Sequence, residues 1–170
     1  MSDNTNDKAI SVLNGLIETC KDGAKGFASA SEKADSPELK SLFRTYSAQR
    51  QSFASDLDGH VVSLRGKPSE TGHVAAVVHR GWIDIKTAFV GNDDKALLNE
   101  CERGEDYAKN AYMEALKQNL PPDAHAVVQR QSIEVKAAHD KVRDLRNAAN
   151  ALAGSPNIPE NTETSATYRN

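Results

Sequence analysis

Four stretches of this 170-residue chain repeat apolar residues at alternating spacings of three and four, the period of a helix that buries one stripe. Two of the connections between them are short and one is long, which leaves few folds open. The first stripe is Ile10, Leu13, Ile17, Cys20, Ala24 and Phe27, in a helix expected over about residues 7–34. Glu18 and Asp22 fall on the far side of that wheel, which assigns them to the solvated face. The second helix opens at Ser36-Pro37-Glu38, an N-cap, a proline at the first helical position and an acid in the first turn, and runs to about Arg65, before Gly66. Its stripe is Leu39, Leu42, Phe43, Tyr46, Phe53, Leu57, Val61 and Leu64, with Arg50 near the middle of the arc where an apolar residue was due. The third helix covers about residues 93–119 and buries Leu97, Leu98, Cys101, Ala108, Ala111, Tyr112, Ala115 and Leu116, with Glu105 inside the arc. The fourth starts at Pro121-Pro122-Asp123 and turns Val127, Val128, Val135, Ala138, Val142 and Leu145 inward, with Gln131 on the arc and Glu134 and His139 at its edges.

A short connection makes each pair of helices an antiparallel hairpin. The link between the hairpins is about 26 residues and holds its own amphipathic pattern over about 73–90, with Gly81 and Phe89 on the stripe. A helix of about 18 residues is roughly 27 Å long at 1.5 Å per residue, enough with two loops to traverse the longer helices. One long crossover between two hairpins gives the expected fold class: all-α, a ferritin-like four-helix bundle with an additional helix in the crossover. The domain expected is residues 7–152, preceded by a frayed polar segment, 1–6. From Gly154 the composition turns to Gly, Ser, Pro, Asn, Thr and Glu, and residues 153–170 read as a disordered tail.

Composition agrees with helices packed closely. Aromatics are 5% of the chain while alanine is abundant, against the β-branched and aromatic content of a sandwich. A net charge of -3 without any basic run excludes a phosphate-binding arm, so no nucleic-acid partner is expected. The first residues lack the basic and apolar regions of a signal peptide, and no apolar run approaches the roughly 18 residues of a membrane span. A cytoplasmic protein without membrane association is expected. Cys20 and Cys101 lie on apolar stripes without a CxxC neighbour, as buried thiols do.

A carboxylate on a core stripe needs a partner. Five side chains are expected to meet near the bundle middle: Arg50, Glu102, Glu105, Gln131 and Glu134. In the first reading Arg50 takes the place of a metal, held by Glu105 as a bidentate pair with help from Glu134, while Gln131 satisfies leftover donors; such a pair fixes register without necessarily adding stability. In the second a single metal, iron or zinc, is held by Glu105, Glu134 and His139, since imidazole with carboxylates suits either. Trp82, the sole tryptophan, follows Gly81 and clamps the crossover to the bundle; the alternative is that Trp82 and Phe89 form an oligomer contact. No Ser, His and Asp set, phosphate loop, HExxH or cysteine-rich zinc pattern is present, which argues against an enzyme.

Leu16 to Gly23, His79 to Lys86, Glu100 to Asp106 and Glu134 to Asp140 together resemble a bacterial ferritin-like four-helix-bundle family of unknown function, over about residues 8–150. The resemblance implies a di-iron site of two glutamates and two Glu-x-x-His motifs. The chain departs from that pattern: Gln49, Gln51 and Ser52 stand where ligands would be sought, and Lys136 occupies the place a glutamate would need before His139. A non-enzymatic scaffold or interaction protein without a cofactor is therefore expected, associated with bacterial stress as the resemblance suggests and working as a homo-oligomer or with a protein partner. The alternative is a metal-binding protein that handles iron or resembles an oxidoreductase. A shift of 81 residues superposes Cys20 on Cys101, Gly23 on Gly104, Val61 on Val142 and Leu64 on Leu145, the trace of a duplicated hairpin.

Overall fold

The computed structural model describes residues 2–70, 82 and 93–154, with the side chains of 5–70, 82 and 93–152. Four helices account for them: α1 (Ser2–Lys33), α2 (Pro37–Ser63), α3 (Asp94–Leu116) and α4 (Pro122–Gly154). There is no strand among the described residues. The helix expected over 73–90, with Gly81 and Phe89, and the tail from residue 155 lie outside them.

The helix ends follow the local chemistry. The Ser36 side chain accepts from the Leu39 amide, with Pro37 at the first position and Glu38 in the first turn. Asp93 caps α3 in the same way through the Lys95 amide. α1 begins at Ser2, several residues before its expected start. α2 closes in two hydrogen bonds, Gly66 N–H to Val61 C=O and Arg65 N–H to Val62 C=O, both 2.9 Å, with Arg65 in the left-handed region at φ 63°.

α1 packs on α2 and α3, and α4 packs on α3 and α2, so α1 and α4, and α2 and α3, face each other across diagonals. Neighbours run antiparallel. On the α1–α3 side Asp94 accepts from the Asp35 and Ser36 amides at one end, and Cys20 meets Tyr112 further along. On the α2–α4 side Gln49 meets Glu134 while Asp56 meets Arg130. α2 and α3 are therefore parallel, which is what a long crossover between two hairpins requires. The apolar interior divides into two clusters, one around Leu13, Ile17, Leu57, Tyr112 and Val128, the other around Phe27, Phe43, Leu97, Cys101 and Val142. Pairs related by 81 residues share an environment: Cys20 and Cys101, and Val61 and Val142, are all inaccessible to solvent.

Glu18 and Asp22 depart from the helical wheel, being only 7% and 8% exposed. For Glu18 the chain after α2 explains this. Asn14 donates to the Lys67 carbonyl and accepts from the Ser69 amide, Lys21 donates to the Ser69 carbonyl, and the Ser69 hydroxyl donates to Glu18 at 2.5 Å. This segment lies along the face of α1 that a two-neighbour helix would leave to water.

Trp82, 9% exposed, anchors the connection to the bundle. Its indole lies over Gly26 of α1 and Gly104 of α3, where a Cβ on either glycine would collide with the ring. It meets Phe27 edge-on, with centroids 5.0 Å apart.

Candidate functional site

The middle of the bundle is polar because Arg50 points inward from α2 among apolar neighbours. Its guanidinium carbon lies 5.9 Å from the Phe27 ring centre and 5.6 Å from that of Phe53, so aromatic faces supply part of its solvation. Nη2 donates to Glu105 Oε2 at 2.6 Å and Nη1 to Gln49 Oε1 at 2.6 Å. Arg50 is 1% exposed and Glu105 0%, and the pair spans the α2–α3 diagonal. It is a single contact rather than the expected bidentate fork: with Nη1 given to Gln49, Arg50 Nε and Glu105 Oε1 have no hydrogen-bond partner.

Glu134 joins this group through Gln49, whose amide donates to it at 3.0 Å. Gln131 is buried but makes a separate network: Tyr112 donates to its Oε1 at 2.7 Å, and its amide donates to the Phe53 carbonyl at 3.3 Å. The tyrosine proton is used there, so the Cys20 thiol, 3.1 Å from Tyr112 Oη, is the donor of that pair. Arg50 and Gln131 are 81 residues apart, the spacing that relates the two hairpins, and each reaches a polar side chain of α3. Glu102 stands apart from the centre, held by Arg146 at 2.9 Å.

Glu105, Glu134 and His139 go to different partners: Arg50, Gln49 and Asp106, the last at 2.8 Å. Sequence reasoning missed Asp106, which shares the strip of Glu102 one turn on. The ligand atoms of Glu102, Asp106 and His139 lie within 4.8 Å of one another.

Burial pushes the Glu105 carboxyl above its usual range, with Arg50 opposing. It pushes the Cys20 thiol up to about 11, and the Cys101 thiol and the Tyr112 phenol well above their ordinary values. The two thiols are thus poor nucleophiles. Lys136 beside Asp140 holds that carboxyl down to about 2.

A family model described as a domain of unknown function, DUF2383, matches residues 8–118. The chain belongs to this family. No curated protein matches it. Among solved structures, it is similar to a two-domain protein containing DJ-1/ThiJ/PfpI-like and ferritin-like domains from Anabaena variabilis, with a TM-score of 0.69 and 15% identity over 95% of this chain. The chain spans 42% of that protein, and the likeness shows the ferritin-like fold.

A ferritin-like fold implies a di-iron centre, and the central residues do not fit one. The guanidinium stands between the helices as the resident cation, Glu105 is committed to it, and Gln131 stands 81 residues on from Arg50, bonded to Tyr112. Neither α2 nor α4 carries a Glu-x-x-His motif. No helix of the described residues is long and apolar enough to cross a membrane.

Proposed function

We propose that this chain is a non-enzymatic ferritin-like scaffold or interaction protein of the cytoplasm, associated with stress, in which an internal ion pair takes the place of the di-iron centre. One observation carries the reading: Arg50 meets Glu105 at 2.6 Å with both side chains out of solvent. A cation fixed there repels a metal and uses the carboxylate that would bind it. The interior thus serves to hold the helices in register, and binding falls to the outer surface. Iron(II) loading without oxygen, followed by admission of oxygen, tests this. The expected result is no iron oxidation above the buffer rate. Oxidation of two iron ions per chain, abolished by Glu105→Ala, would overturn it.

A further inference from the structure

The seam between α3 and α4 carries a second polar group, off the bundle centre and independent of the Arg50 pair. Glu102 and Asp106 are four residues apart and so share one face of α3. His139 faces them from α4. Its imidazole is 5% exposed, an unusual degree of burial for a polar ring. Asp140 Oδ1 lies 3.2 Å from Nδ1, while Nε2 faces Asp106 at 2.8 Å. A carboxylate on one ring nitrogen fixes the tautomer and leaves the other nitrogen as a ligand, the arrangement seen behind metal-bound histidines.

Two further observations bear on what belongs there. The Lys109 ammonium is drawn to 3.3 Å from both Asp106 Oδ1 and His139 Nε2, so a positive charge already sits against the two groups. Arg146 holds one oxygen of Glu102, and Lys136 and Arg143 hold Asp140, so the supporting residues are themselves held.

We propose that Glu102, Asp106 and His139 form a mononuclear site for a borderline divalent transition ion of the zinc type. One imidazole and two carboxylates are three protein ligands, with a further position open on the half-exposed Asp106 side. The farthest of the donor atoms, all within 4.8 Å of one another, close by at most about 1.4 Å to the roughly 3.4 Å between ligands of a tetrahedral zinc ion, while His139 Nε2 and Asp106 Oδ1, 2.8 Å apart, open by about 0.6 Å. The ion displaces the Lys109 ammonium and takes over the Asp106 to His139 contact, pinning the second hairpin across its seam. The site goes beyond the scaffold reading and does not depend on it.

Calorimetry with zinc(II) alone, on the full chain purified without a tag and stripped of metal, tests the assignment. One zinc per chain is expected, with a raised Tm. Asp106→Asn, at a half-exposed position that should not disturb folding, is expected to weaken binding at least tenfold and to abolish the Tm shift; His139→Gln should do the same. Lys109→Met is expected to tighten binding severalfold by removing the competing ammonium. No binding by the parent chain, equal binding by Asp106→Asn (adventitious zinc only), or an unchanged or weaker affinity in Lys109→Met would each overturn the site.

Discussion

Arg50 of α2 and Glu105 of α3 meet at 2.6 Å across the diagonal of the bundle, with side chains 1% and 0% exposed. Removing one partner strands the other as a buried charge, which costs about 3–5 kcal/mol, whereas replacing both by apolar groups of similar volume is often neutral or stabilising. Arg50→Met alone is therefore expected to lower stability by several kcal/mol, and Arg50→Met with Glu105→Leu to recover most of it. Urea unfolding of the parent, the two single variants and the double variant forms the cycle. A double variant no better than Arg50→Met would show that the pair contributes net stability.

The same pair sets a pH dependence. Burial raises the folded-state pKa of Glu105 above the usual 4.5, with Arg50 only partly opposing. The folded chain thus holds this proton more tightly than the unfolded chain. The stabilisation so gained is full below the unfolded value and is lost as pH rises through the folded value. The carboxyl carbon shift of Glu105, followed by NMR, should titrate with a midpoint above 4.5. A midpoint below that value would mean that the guanidinium outweighs desolvation.

The bundle itself was legible because its evidence is periodic: each stripe repeats over many turns, and connection lengths sort the helices into hairpins. Arg50, Glu105 and Gln131 were legible as polar breaks in those stripes. What escaped depends on the azimuth of individual side chains and on chain that follows no period. Glu102 and Asp106 lie at the edge of the stripe, and a few degrees of helix rotation decide whether they turn to Arg50 or to α4. Glu18 was misplaced because the irregular run from Lys67 to Ser69, which covers it, has no pattern from which its path could be read.

Trp82 makes the glycines of α1 unequal. A Cβ at Gly26 would run into the indole, while one at Gly15 would meet nothing within 4 Å. Gly15→Ala is expected to stabilise by roughly 0.5–1 kcal/mol through backbone entropy. Gly26→Ala is expected to destabilise by about 1–3 kcal/mol, since the ring must shift. Because Trp82 is the sole tryptophan, its emission reports the difference: a red shift in Gly26→Ala and none in Gly15→Ala. Identical spectra and opposite Tm changes would mean that the ring moves without leaving its apolar seat.

Arg65 and Gly66 divide a task that one glycine usually performs. The left-handed residue that ends α2 is Arg65, at φ 63°, while Gly66 is the position where a Cβ would lie 2.9 Å from Ile10. The glycine that reads as a helix stop is therefore required for close approach to α1, and the turn itself falls on a residue with a Cβ. A left-handed conformation costs an L-residue about 1–2 kcal/mol that glycine does not incur. Arg65 is exposed and its backbone supplies the closing bond to Val62, so Arg65→Gly is expected to stabilise by roughly 0.5–1 kcal/mol after the added entropy of the unfolded chain is subtracted. Gly66→Ala should act in the opposite sense, because Ile10 must give way. Thermal unfolding of the two variants side by side checks the assignment; a loss of stability in Arg65→Gly would place the requirement on the arginine side chain instead of its backbone.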